Sequence, residues 1–231
     1  MAEISRPSLL SAYAERTLNA LAEEGLGHKL SIGGALGLQH YLEYRKTNDV
    51  DAWWEPSAST EDRNRVIQIL ESALRSWGEV RTRRWGEVIS VELALAGKTV
   101  FSFQIADRSA RLEPSVSVPW TDVALDSLPD LIASKMVALV ERGAPRDFRD
   151  IYTVCNRGVA TARECWDLWR RRQAEGGSDT DPHRARLAVE THLARISQHR
   201  PLDSVSDPVQ RQEAQDVRSW FQTEMLNALV D

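Results

Sequence analysis

The chain has 231 residues, of which 42% are apolar and 27% charged, with a formal net charge of −5; that is the balance of a soluble globular protein with room for one large domain or two small ones. The charge argues against a surface coated for nucleic acid, though not against a local basic patch. No apolar run approaches the roughly 20 residues that span a bilayer, Glu3, Arg6 and Glu15 interrupt any secretory-type apolar core, and Cys155 and Cys165 are too few and wrongly spaced for zinc or a disulfide framework, so a reducing cytoplasm and no membrane are the expectation.

In chain order, Pro7–Gly25 sets Leu10, Ala14, Leu18 and Leu21 at helical spacing before a glycine stop. A short strand near Leu30–Ile32 ends in Gly33-Gly34. The spacing then predicts a helix from Ala35 to about Tyr44, the polar stretch Arg45-Lys46-Thr47-Asn48, and a strand opening Asp49-Val50-Asp51. Alternation points Asp49 and Asp51 to one side of that strand and sends Val50 and Ala52 into the core. Two carboxylates about 7 Å apart on one strand face repel unless a cation sits between them. Paired glycines let a loop approach a phosphate closely, and a helix start offers free N–H groups. Within one strand–helix–strand unit these parts favour a metal–nucleotide site over a turn beside a solvated strand end.

Thr60–Trp77 is amphipathic, with Val66, Leu70, Ala73, Leu74 and Trp77 on one face and Ser59 with Asp62 as the N-cap signal. The period then changes to two. Ile89, Val91, Leu93 and Leu95 form one apolar set and Thr99, Phe101, Phe103 and Ile105 a second, which a three-residue loop, Ala96-Gly97-Lys98, would bring together by pairing Leu95 with Thr99. A third strand is expected around Arg111–Val118. From Ser127 the pattern is helical, with helices predicted near 128–142, 146–156, 161–175, 182–198 and 208–230. Trp77, Trp166, Trp169 and Trp220 fall on apolar faces and are expected in the core. The expected organisation is α+β: residues 1–125 form a mixed sheet with flanking helices, and 126–231 a helical bundle.

The helical part holds a second set of candidates. Lys135 lies on an apolar stripe with Leu131, Ile132, Ala138 and Leu139, where its charge needs a partner or a cleft. Asp130 follows Ser127 by three residues, the spacing of a cap. In Arg142-Gly143-Ala144-Pro145-Arg146-Asp147-Phe148-Arg149-Asp150, Pro145 suits a first helical turn. Asp147 and Asp150 share a face near the positive helix end, which by itself would explain both. Residues 142–172 carry eight Arg/Lys against four Asp/Glu, ordinarily a solvated face but able to attract a nucleic-acid backbone beside an active site.

The succession of Gly-Gly, R-x-T-x-D-x-D over Arg45–Asp51, D-x4-K from Asp130 to Lys135, and R-G-x-P-R-D-x-x-D-I-Y from Arg142 to Tyr152 resembles the AbiEii/AbiGii type of nucleotidyltransferase toxin. The resemblance implies a polymerase-β-like nucleotidyltransferase fold with a helical appendage, an antitoxin partner, an NTP substrate and an RNA acceptor, notably tRNA ends. By position it implies Asp49 and Asp51 as ligands of Mg²⁺ (or Mn²⁺) and Gly33 and Gly34 against the triphosphate. It also places Lys135 on the nucleotide and has Asp147, Asp150 and Arg146 complete the site. Arg45, Lys46 and Lys135 suit neutralisation of the pyrophosphate leaving group, with Thr47 nearby.

The sequence departs from that pattern in three places. Ala35 stands where a hydroxyl residue usually follows the glycines, leaving Ser31 or Thr47 to supply such a contact. Gln104 falls where the fold's third carboxylate would be, and Glu92, on the same face in the derived register, is the candidate substitute. Asp51 is followed by a bulky Ala52-Trp53-Trp54. The alternatives are a non-catalytic nucleotide- or partner-binding relative and a small-molecule nucleotidyltransferase of the aminoglycoside-modifying kind.

Overall fold

Ser11 accepts the N–H of Ala14 and starts α1 (Ala12–Glu23), whose Ala14, Leu18 and Leu21 are buried. The structure, a computed structural model, describes residues 3–229. They fall into two compact units, one ending at Leu131 and one beginning at Ile132.

The first unit contains a seven-stranded mixed sheet built from β1 (Leu30–Ile32), β2 (Asp49–Trp54), β3 (Glu79–Trp85), β4 (Val88–Leu95), β5 (Lys98–Ala106), β6 (Val116–Val118) and β7 (Thr121–Leu125), in the order β3-β4-β5-β2-β1-β7-β6. β2 runs parallel to β5 and antiparallel to β1, while β1 runs parallel to β7. Helix α3 (Thr60–Arg75) begins in a reciprocal Ser59/Asp62 capping box. Its Val66, Leu70 and Leu74 join α1 and the inward residues Val50, Ala52, Val91, Leu93, Phe101, Phe103 and Ile105 in one core. Period-two alternation therefore gives the sheet a dry face under the helices and an opposite face bearing Asp49, Asp51, Ser102 and Gln104. This is the expected α+β class.

Several elements differ from expectation. Helix α2 covers only Gly34–Gln39. The backbone beyond it is engaged elsewhere: His40 O accepts from Ser5 N–H at 2.8 Å, and the Gln39 amide donates to Arg45 O at 2.6 Å. β3 was not expected, because an edge strand reading EVRTRRW, exposed on nearly every residue, has no apolar alternation. The expected strand over 111–118 is instead a loop through 115 followed by the β6–β7 hairpin. The β4–β5 turn has two residues, Ala96 and Gly97, with φ of +49° and +78°, as a type I′ turn requires. It pairs Leu95 with Lys98, and a bulge at Leu93/Ala94 then restores the expected register from Leu93↔Phe101 onward. Trp77 is 44% exposed rather than core.

The second unit is helical. It holds most of α4 (Leu128–Glu141), then α5 (Pro145–Asn156), α6 (Ala162–Glu175), α7 (Pro182–His199) and α8 (Pro208–Trp220). Phe148 packs on Phe221 with ring centroids 4.6 Å apart, and Trp166 donates to Met225 O at 2.9 Å. The helix expected over 208–230 changes at Phe221 to a π-helical turn ending at Met225; its final residue, Val230, lies outside the described residues.

Candidate active site

The polar face of the first unit is organised in cross-strand rows. Asp49 of β2 is paired with Ser102 of β5, and Ser102 with Glu92 of β4; one step along, Asp51 is paired with Gln104, and Gln104 with Ser90. Ser102 Oγ donates to Asp49 Oδ1 at 2.7 Å and accepts from Gln104 Nε2 at 3.3 Å. The neutral residues in the middle strand therefore hold the Asp49 carboxylate by a hydroxyl relay. Glu92 lies two strand spacings, about 10 Å, from Asp49 and is engaged by Arg83, Nε to Oε2 3.4 Å. Thr47 takes part in a local turn, its Oγ1 accepting from Asp49 N–H at 3.3 Å. Arg45 lies over the ring of Tyr44 at 5.7 Å, and Lys46 is exposed.

The two glycines are required by contacts within the protein. Gly33 N–H donates to Asp51 O at 2.8 Å. Gly34 has φ +58°, and a Cβ there would meet Asp51 Oδ2 at 2.0 Å. A Cβ on Gly33 would meet Trp53 Nε1 at 2.4 Å and Asp126 Oδ2 at 3.1 Å. The turn is thus seated directly on the second carboxylate, and the bulky Trp53 is the side chain against which Gly33 rests.

Arg108, in the loop after β5, was not foreseen. Its guanidinium is almost wholly buried and pairs with Asp126, donates to Ser31 Oγ at 2.8 Å and lies 5.4 Å from the Trp53 ring. It thereby ties together the ends of β1, β2 and β7, the strands that carry the glycine turn and the two aspartates. Burial pushes the Asp126 carboxyl above its ordinary value, against the pull of Arg108. Asp130 anchors the same loop, accepting Leu112 N–H and Glu113 N–H at 2.9 and 3.0 Å while Ser127 caps α4 against it. Ser31 and Thr47, the two hydroxyls expected to replace the one missing at Ala35, therefore both have internal partners. The sequence offered no signal for Arg108, since its partners lie 18 and 77 residues away.

In the helical unit, Lys135 is buried and pairs with fully buried Asp150, Nζ to Oδ2 2.7 Å. Asp147, also fully buried, accepts a fork from Arg142 at 2.8 and 2.9 Å and caps α5 through Ala144 N–H. Gly143 has φ +52°, and a Cβ there would enter the ring of His192. Arg146 is exposed. Of the basic run, Arg170 and Arg171 are exposed and Arg172 is buried.

A divalent ion is compatible with these residues in one way. Asp49 and Asp51 share a face, and the described residues contain no cluster of three or more His, Cys, Asp or Glu side chains able to hold a metal. Such a pair suits Mg²⁺, which keeps few carboxylates and completes its shell with water and substrate phosphate oxygens.

Residues 16–223 match the family model described as "Nucleotidyl transferase AbiEii toxin, Type IV TA system". Among solved structures, one titled "Crystal structure of an antigenic nucleotidyltransferase-like protein from Paracoccidioides brasiliensis" is 16% identical, with 83% of this chain and 91% of that chain covered and a TM-score of 0.41. No curated protein sequence matches this one.

Proposed function

The chain belongs to the AbiEii nucleotidyltransferase toxin family, of a type IV toxin–antitoxin system, and from that premise we propose that it transfers an NMP group from an NTP to an RNA acceptor of the tRNA kind, using Mg²⁺ or Mn²⁺. The observation that carries this proposal is the placement of Asp49 and Asp51 on one strand face with the Gly33-Gly34 turn seated on Asp51. Asp49 and Asp51 would hold the cation, which on binding neutralises charge on the phosphate oxygens and lowers the pKa of the attacking hydroxyl.

The chain's own residues supply orientation. Ser102, held by Gln104, fixes the Asp49 carboxylate. The glycine turn fixes Asp51 and is assigned to the triphosphate, and Arg108 braces the strands beneath it. Arg45, Lys46 and Arg146 are assigned to phosphate charge. Lys135 is assigned to the nucleotide, with Asp150 holding its ammonium in one orientation. Asp147 shapes the turn that presents Arg146. Chemistry is assigned to the N-terminal unit and accessory binding to the helical one, with a cytoplasmic antitoxin as the partner. Among the described residues no helix is long and apolar enough to cross a membrane.

One observation favours a second function, nucleotide binding without transfer: the residue cross-paired with Asp51 is Gln104, which supplies no anionic ligand. Incubation with α-labelled NTPs, Mg²⁺ and total RNA separates the two. Label appearing in RNA supports transfer; NTP binding without any labelled RNA would replace it with the binding module.

A further inference from the structure

Cys155 and Cys165 take no part in the proposed chemistry, and both lie in the helical unit. Cys155 is the penultimate residue of α5 and Cys165 the fourth of α6. The turn between them, with Gly158 at φ +67°, folds one thiol onto the other at an Sγ–Sγ distance of 3.6 Å. A disulfide needs about 2.05 Å between its sulfurs. Closure therefore asks for about 1.5 Å of movement shared by two side chains, one of them at a helix end.

The two thiols differ in access. Cys165 is fully buried, whereas Cys155 is half-buried and lines an open cavity of about 350 Å³ together with Gly158, Thr161, Glu164, Trp220 and Glu224. The hydrogen bond to Cys155, reinforced by burial, pushes the Cys165 thiol up, so that it stays protonated while Cys155 meets whatever enters. The two glutamates give the cavity negative charge, which disfavours an anionic oxidant such as glutathione disulfide and admits a small neutral one.

We propose that Cys155 and Cys165 are a dithiol oxidation site for small neutral hydroperoxides. The Cys155 sulfur attacks the terminal oxygen of the hydroperoxide; the S–O bond forms, the O–O bond breaks, and the departing alkoxide or hydroxide takes the thiol proton. The Cys165 sulfur, 3.6 Å away, then attacks the Cys155 sulfenic acid. The S–S bond forms, the S–O bond breaks, and the Cys165 proton leaves with the hydroxyl as water. Two thiols are oxidised to one disulfide, and the hydroperoxide is reduced to an alcohol (or water) plus water.

The test uses the full chain, reduced, freed of reductant and exposed to hydrogen peroxide, with intact mass and tryptic peptides as readouts. Cleavage after Arg157 and Arg163 separates the cysteines, so a linked peptide pair reads the bond directly. The expected result is loss of two hydrogens from the intact mass, one linked peptide pair, and recovery of both thiols with dithiothreitol. Cys165→Ser is expected to stop at a dimedone-trappable sulfenic acid on Cys155, and Cys155→Ser to leave Cys165 unoxidised. Oxygen addition at Cys155 with Cys165 still free would overturn the proposal, as would oxidation of Cys165 in Cys155→Ser or failure of any linked pair to form. Glutathione disulfide forms the second arm: a bond forming there as fast as with hydrogen peroxide would overturn the assignment to a neutral oxidant.

Discussion

Gly34→Ala separates the two demands that the structure places on this position. The backbone there has φ +58°, and the new Cβ would lie 2.0 Å from Asp51 Oδ2 and 2.7 Å from Asp51 Cγ, so the carboxylate must rotate or the turn must lift. A left-handed conformation for a residue with a Cβ costs about 1–2 kcal/mol, and an off-rotamer side chain about 0.5–1.5 kcal/mol more. The sum, roughly 1.5–3.5 kcal/mol of unfolding free energy, is measurable by urea denaturation. Gly86 is the control: its φ is +54° with nothing within 4 Å of a Cβ, so Gly86→Ala carries only the backbone cost of about 1–2 kcal/mol. In calorimetric titration with Mn²⁺–NTP, Gly34→Ala is expected to lose binding because Asp51 has been displaced, and Gly86→Ala to bind normally. If Gly34→Ala costs no more than Gly86→Ala and binds like the parent chain, the glycine turn does not set Asp51.

Ser102→Ala removes the donor that orients Asp49 and is expected to lower divalent affinity about 10–100-fold; an unchanged titration would show that the hydroxyl relay is idle. Lys135→Met leaves fully buried Asp150 without the Lys135 ammonium, an expected loss of about 3–5 kcal/mol in denaturant melts, and Lys135→Met/Asp150→Leu should recover most of it. NTP affinity measured in that double variant then reads the proposed nucleotide role apart from stability. Burial lowers the His40 pKa below its ordinary 6.5, so the unfolded chain takes up the proton first. Stability from this group is full above pH 6.5 and is lost as pH falls from there toward the folded pKa, and His40→Gln should flatten that limb of the stability profile. For Glu92, placed opposite Ser102 and paired with Arg83, the turnover of Glu92→Gln decides the role: a sharp loss supports a third carboxylate and normal turnover removes it.

What the sequence made legible was what has a local period. Alternation in 88–105 placed Val91, Leu93, Phe101 and Phe103 in the core and left Ser102 and Gln104 on the face of Asp49 and Asp51. The capping box at Ser59 was readable for the same reason, since donor and acceptor lie three residues apart. Elements defined by distant partners were not readable. β3 is a charged edge whose only strand signal is its pairing with β4, and α2 ends early where His40 O accepts from Ser5 N–H of the N-terminal segment and the Gln39 side chain donates to Arg45 O. Arg108 looks like any loop arginine until Ser31, Trp53 and Asp126 are brought around it. Lys135 was legible as a charge in need of a partner, but Asp150 as that partner was not, because both lie on helices whose relative register the sequence does not encode locally.

The central claim is that Asp49 and Asp51 together support divalent-dependent nucleotidyl transfer, and the most direct test is a transfer assay on the parent chain, Asp49→Asn and Asp51→Asn. Each is incubated with α-labelled NTPs and total RNA, with Mg²⁺ or with chelator. The predicted result is labelled RNA from the parent chain with Mg²⁺ only, and none from either variant while both keep the parent's circular dichroism and melting behaviour. Labelled RNA from both folded variants at the parent's rate, or from the parent chain in chelator, would contradict it.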